Sequence, residues 1–275
     1  MKSLTNRDQS TFHYVVFIVL SLFFTLRSFA QPANDACGSA TSLTPGTTCV
    51  NIAGGLRHPT TGVASTPTVG INTFCGNAAS PDVWYSFVAS SAYPVITISS
   101  LGSNLRVAPR LQLFGTTSCL FTTLNSNSLA CASGTNVTSL VLNTFTSPGG
   151  AGLTVGQTYL LRVFTNGNSV SSGTAATWNF NICITDPPTN DLCTNATPLT
   201  VGTSCASPTS GTLTNANYSA LISACSGSGG GDKDVWYSFV ANAPNPTITL
   251  GSAPAQKAYR FFQVPAELWL PCNVL

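Results

Sequence analysis

Four aspartates recur in pairs and are the first residues here that could do chemistry. Asp35 and Asp82 return as Asp191 and Asp234, with Asp232 as an extra acid beside the last. A shared duty is expected of them. Turn-making is one reading, since Asp side chains accept from nearby backbone N–H groups. Calcium is the other: it takes six to eight oxygens, and carbonyls can fill in around few carboxylates. Asp35, Asp82, Asp191 and Asp234 are therefore the candidate metal ligands; no cofactor is expected, with calcium as the alternative. Hydrolytic chemistry finds less. A Ser-His-Asp arrangement needs a histidine base, and the only histidine beyond the leader is His58, in the polar stretch LRHPTTG. No G-x-S-x-G elbow accompanies it. A paired-carboxylate glycosidase needs two acids on one cleft, and the first copy with its linker holds only Asp35, Asp82 and Asp186. No catalytic constellation is expected.

Aromatic rings are the other chemistry. Trp84 and Tyr85 recur as Trp236 and Tyr237, and Trp178 stands apart. An exposed flat ring with polar neighbours could hold a sugar, which makes Trp84 and Tyr85 candidate ligand residues. A Trp in an alternating strand also suits a core, because aromatics bury large areas. Arg106, Arg110 and Arg162 could line a face, with Arg162 expected to point outward from its strand.

The ten cysteines all lie beyond residue 30. An even number in an exported chain reads as disulfides. Zinc prefers C-x-x-C pairs or Cys/His clusters, and the nearest two cysteines here, Cys183 and Cys193, are ten residues apart. Six cysteines in the first copy allow fifteen connectivities. Cys119 with Cys131, which flank a polar loop, is the first choice. Cys49 with Cys75 follows, because both recur as Cys205 and Cys225. Cys37 with Cys183 remains.

Residues 1–30 read as a cleavable secretory signal. Lys2 and Arg7 precede an apolar run over residues 14–26, and Ser28-Phe29-Ala30 supplies the small residues that a signal peptidase reads. The run is shorter than the about 20 residues a span needs, so no membrane span is expected after cleavage. Removing Lys2, Arg7, Arg27 and Asp8 from ten basic and eight acidic residues leaves seven of each. A neutral chain has no basic patch for nucleic acid.

These residues sit in a repeat that must position them. PANDAC at residues 32–37 returns as PTNDLC at 188–193, and DVWYSFVA at 82–89 returns unchanged at 234–241. The period is about 150 residues, the size of a domain. Copy one is expected over residues 31–185. Asp186-Pro187-Pro188 reads as the linker opening an incomplete copy two, residues 186–250. Residues 251–275 read as an atypical tail, and a truncated or frame-shifted product is the expectation. The composition is rich in Ser, Thr, Asn, Gly and Val and suits strands and turns. Alternation predicts strands over residues 83–88, 95–99, 111–114, 140–142, 159–164 and 178–184, with no helical stripe outside the signal. Many short strands with turn signals predict an all-β, jelly-roll-like sandwich.

The stretches at residues 34–37, 75–76, 82–87, 111–119, 129–131, 153–164 and 179–183 carry a resemblance. Their order resembles cysteine-containing modules of large bacterial secreted and cell-surface proteins, many exported by the type IX route. It is similar in plan to the bacterial pre-peptidase C-terminal domain, a jelly-roll-like sandwich. The resemblance implies an accessory, non-catalytic unit, secreted or at the cell surface, that acts as spacer or adhesion module. Its implied partners are surface glycans or other surface proteins. A glycan- or calcium-binding module and a fragment of a secreted hydrolase are the alternatives.

Overall fold

The computed structural model describes residues 30–71, 73–76, 80–144, 152–166, 170, 172–204, 207–217 and 233–251. The expected signal before residue 30, the tail beyond 251, and Cys205 and Cys225 lie outside the described residues.

Copy one is a sandwich of two sheets. The first holds β1 (Thr41–Ser42), β3 (Asp82–Val88), β8 (Thr158–Thr165), β5 (Pro109–Phe114) and β6 (Ser128–Ser133), in that spatial order. The second holds β2 (Ile52–Gly55), β9 (Asn179–Thr185), β4 (Val95–Ser99) and β7 (Leu140–Asn143). All pairings are antiparallel except β1 with β3. The period of two along each strand sorts the side chains. Val83, Tyr85, Phe87, Leu111, Leu113, Leu161 and Val163 face inward from the first sheet. They meet Ile96, Ile98, Leu140, Leu142, Phe180, Ile182 and Ile184 from the second, and together these form the main core.

The two sheets differ on their outer faces. The second is open: Val141 on β7 is 49% exposed. The first is covered. Trp84, Phe114 and Leu160 turn outward from β3, β5 and β8 and pack with Ile71 and Leu124 into a second buried cluster. The cover comes from the segment before β3 and from a short helix, α1 (Phe121–Ser126). This explains why β8 is buried at almost every position, whereas a sheet with one wet face alternates.

Two expectations are corrected. The polar stretch between Cys119 and Cys131 contains α1 and β6 rather than an open loop, and the helix was not foreseen. The disulfides also differ at every pair. Cys37 joins Cys119, Cys49 joins Cys183 and Cys75 joins Cys131, with Cα separations of 5.8, 5.4 and 5.4 Å. Strand pairing explains each change. β2 lies along β9 with Ile52 opposite Ile182, which carries Cys49 to Cys183. β6 lies along β5 with Cys131 opposite Gln112, under the covering segment that bears Cys75. Cys37 and Cys119 both pack on the second cluster. The bridges close loops of 82, 134 and 56 residues, each worth about 4–5 kcal/mol in lost chain entropy.

Copy two repeats the opening of copy one. β10 (Thr197–Pro198) runs parallel to β11 (Tyr237–Ser238), as β1 does to β3. Thr197 opposes Tyr237 where Thr41 opposes Tyr85. Cys193 is disulfide-bonded. Glycines match as well. A side chain at Gly54 would collide with the Tyr85 hydroxyl and the Phe180 ring, and one at Gly211 would collide with the Tyr237 hydroxyl.

A non-reducing digest is expected to release three linked peptide pairs from copy one: Cys37–Cys119, Cys49–Cys183 and Cys75–Cys131. A Cys119–Cys131 peptide would contradict this framework.

Candidate functional site

The repeated motif residues converge on one structural device, built twice. Pro32 opens a turn closed by the Asp35 N–H at 3.0 Å. The turn aims Asn34 at Trp84. The Trp84 N–H donates to the Asn34 carbonyl at 2.8 Å, and the Asn34 Nδ2 donates to the Trp84 carbonyl at 2.9 Å. Both backbone groups of Trp84 are thereby satisfied at the sheet edge, as buried groups must be. In copy two, Asn190 makes the same two bonds to Trp236, at 2.8 and 2.9 Å.

The neighbouring acid holds a distant loop. Asp35 accepts from the Thr66 N–H at 2.6 Å and from the Thr66 hydroxyl at 2.7 Å. Asp191 accepts from the Asn217 N–H at 2.7 Å and its Nδ2 at 2.9 Å. The repeated Asn-Asp pair is therefore a clasp that ties the entry turn to the strand and to the loop before it. The turn-making expectation foresaw local partners; the Asp bonds reach 31 and 26 residues along the chain.

Asp82 has a different task. It starts β3 on the outer face of the first sheet and is fully buried beside Arg162 of β8. The Arg162 Nε donates to Asp82 Oδ2 at 2.5 Å. The Arg162 Nη2 donates to the Ser80 carbonyl at 3.3 Å, and its guanidinium carbon lies 4.1 Å from the centre of the Phe164 ring. Thr68 donates its hydroxyl to Asp82 at 2.9 Å and its N–H at 3.3 Å. The same hydroxyl accepts from the Trp84 indole at 3.2 Å. Burial pushes the Asp82 carboxyl above its ordinary value, and the Arg162 charge and the Thr68 donors pull it back. Burial likewise lowers Arg162, and Asp82 opposes that. Arg162 thus points outward from its strand as expected, opposite Trp84 in the register, but it is buried rather than solvated. Its face of the sheet is roofed.

The aromatic candidates are also roofed. Trp84 is 0% and Tyr85 1% exposed. The Trp84 ring packs 5.6 Å from Phe114 and the Tyr85 ring 6.2 Å from Phe180. Burial pushes the Tyr85 phenol up to about 12. Neither ring in copy one offers a face to a sugar, which corrects that expectation. Trp178 is buried too, and its indole donates to the Ser172 carbonyl at 2.8 Å. His58 Nδ1 accepts from the N–H groups of Thr60 and Thr61 at 3.3 and 3.2 Å, so it closes its own turn. Arg110 is half-buried on β5 and donates to the carbonyls of Pro109 and Gly134. Arg106 is exposed in a separate turn, Leu105–Val107. Arg110 and Arg162 thus share the outer face of the first sheet, Arg110 half-buried and Arg162 roofed, and Arg106 lies apart from them.

The structure does not gather the metal candidates. Among the described residues, no group of three or more His, Cys, Asp or Glu side chains is placed to hold an ion. Asp35, Asp82 and Asp191 each direct both oxygens to protein donors. Asp234 is half-buried, its N–H donating to the Asn217 carbonyl at 3.2 Å.

Residues 189–274 match a family described as galactose binding domain-like, associated with type IX secretion. Copy two fits a β-sandwich module of that association. The match runs past residue 250, across most of the stretch read above as an atypical tail. The Asn-Asp clasp and the parallel strand pair link this matched segment to copy one in structure as well as sequence. The module kind is one of binding or accessory units. No curated protein matches the chain. Among the described residues, no helix is long and apolar enough to cross a membrane.

Sequence reasoning missed Asn34 as a strand bracket, Arg162 as the partner of Asp82, and Thr66 and Thr68 as donors. The first had a signal, since Asn34 precedes Asp35 in both copies. The others depend on strand register and on the path of the covering segment.

Asp35→Ala is expected to cost about 1 kcal/mol, because the hydrogen bonds to Thr66 are lost at a partly exposed site. Asp191→Ala is expected to cost about 1–3 kcal/mol at its buried site and to leave the unfolding transition of copy one in place. Urea unfolding followed by tryptophan fluorescence, with Trp84 and Trp178 reporting on copy one and Trp236 on copy two, checks both.

Proposed function

We propose that this chain is a non-catalytic extracellular unit, a spacer or accessory module of a secreted or cell-surface protein. One observation carries the reading. The residues that could do chemistry are consumed by the architecture. Asp82 is ion-paired under a roof, Asp35 and Asp191 hold loops, His58 closes a turn, and Trp84 and Tyr85 fill the two cores. An acid–base pair or nucleophile needs a group that faces its substrate, and each of these faces the protein. Three disulfides in copy one suit an oxidising, exported setting, as does the type IX association of the matched family.

Glycan binding is the second reading, favoured by the family's description as galactose binding domain-like. The buried rings of copy one cannot supply its platform. It would fall to exposed aromatics such as Phe74 and Phe121, which are 46% and 44% exposed, or to copy two.

The mature chain from residue 31, applied to a glycan array with and without calcium, is expected to retain no glycan above background. It is also expected to turn over no ester, peptide or glycoside substrate. Saturable retention of a galactoside that is lost on Phe121→Ala would replace the spacer reading with the second one, and turnover would overturn both.

A further inference from the structure

Asp186 lies between the copies and is held by the end of copy one. The Ser90 hydroxyl donates to its Oδ2 at 2.7 Å and the Ser91 hydroxyl to its Oδ1 at 2.6 Å. Its N–H donates to the Gly46 carbonyl at 2.8 Å, and the preceding Thr185 bridges to Gly46 in parallel. Four residues on, Asn190 is fixed to Trp236 within copy two. Only residues 187–189 lie between these anchors, and two of them, Pro187 and Pro188, have φ locked near −65°. A second contact crosses the junction: the Asn215 Nδ2 of copy two donates to the Thr47 carbonyl of copy one at 3.3 Å. Asn215 adopts φ 61°, a left-handed conformation that Asn tolerates better than most residues.

The repeat gives an internal control. At the offset that aligns the two Asn-Asp clasps, Asp186 corresponds to Ala30, before copy one. The acid stands at the junction between the two copies, whereas the aligned position ahead of the first clasp is an alanine. The receiving surface is also partly particular to this junction. Gly46 and Thr47 return in copy two as Gly202 and Thr203, but Ser90 and Ser91 return as Asn242 and Ala243.

We propose that Asp186 is an orientation pin, and that Gly46, Thr47, Ser90 and Ser91 form a docking surface for the entry edge of the following module of the same kind. The inference deepens the spacer reading by giving the spacer a fixed elbow. Three anchors at Asp186, one at Asn215 and a proline pair leave little rotation between the copies. Domain junctions otherwise default to relative motion unless their interface is large.

Backbone ¹⁵N relaxation of the mature chain tests it. The amides of copy one and those of residues 189–217 are expected to share one rotational correlation time. In Ser90→Ala/Ser91→Ala/Asp186→Ala, the shared time is expected to be lost, with the copy-two amides tumbling faster. Ser90→Thr/Ser91→Thr keeps both hydroxyls and is expected to tumble as wild type, which separates loss of the pin from damage to the fold. Two correlation times in the wild type would overturn the pin. So would an alanine variant that tumbles as one body, or a threonine variant that decouples. Each of these outcomes leaves the array result untouched, so the elbow and the spacer reading fail separately.

Discussion

A carboxylate and a guanidinium meet without water on the outer face of the first sheet, and much of copy one is arranged around that fact. Taking either charge out of water costs several kcal/mol. The cost is met only if every remaining donor and acceptor finds a partner. Asp82 and Arg162 therefore need a roof, and the roof must bring its own polar groups. Thr68 and Ser80 supply them. The Cys75–Cys131 bridge fastens the roof to β6, and the Cys37–Cys119 bridge fastens the entry turn to the chain that leads into α1. Trp84, beside the pair, packs against the same cover and shares Thr68 with it. The Cys37–Cys119 and Cys75–Cys131 bridges, the clasp and the ion pair are one solution to sealing both faces of a sheet.

This solution makes the function reading physical rather than negative. A module whose recurring acids and whose Trp84 and Tyr85 rings are taken up by its own architecture offers its surroundings shape and loops. The second sheet keeps a wet outer face. The clasp recurs in copy two with near-identical distances, so the same entry geometry is available wherever the module is repeated. Tandem modules that begin alike and are pinned at their junction suit a spacer better than a catalyst.

Much of this was legible in the residues. The alternation over residues 83–88 puts Val83, Tyr85 and Phe87 on one face and Trp84 on the other, as found. The recurrence of Asp35 and Asp82 did mark a shared structural duty for the first of them. What sequence could not show was long-range. Arg162 looks like an exposed strand residue until the register puts it beside Asp82, and register between strands 80 residues apart leaves no local trace. The cysteines failed for the same reason. Pairing by loop proximity or by repeat membership ignores that β2 crosses to β9 and β6 to β5. The short helix Phe121–Ser126 has a single fully buried apolar residue, Leu124, and so no stripe to read.

The claim that Asp82 is a sealed architectural acid, not a ligand residue open to solvent, has a direct test in the pH dependence of Arg162→Met. Without the guanidinium, burial acts on Asp82 with its main opposing charge removed, so its folded pKa rises further above the unfolded value. Stability in such a case is complete below the unfolded pKa and is lost as pH rises through the folded one. Urea unfolding at a series of pH values should therefore show the cost of Arg162→Met growing from pH 4 towards pH 8, and Asp82→Leu/Arg162→Met should abolish that slope. A cost for Arg162→Met that does not change with pH would mean that Asp82 reaches water, and would contradict the account.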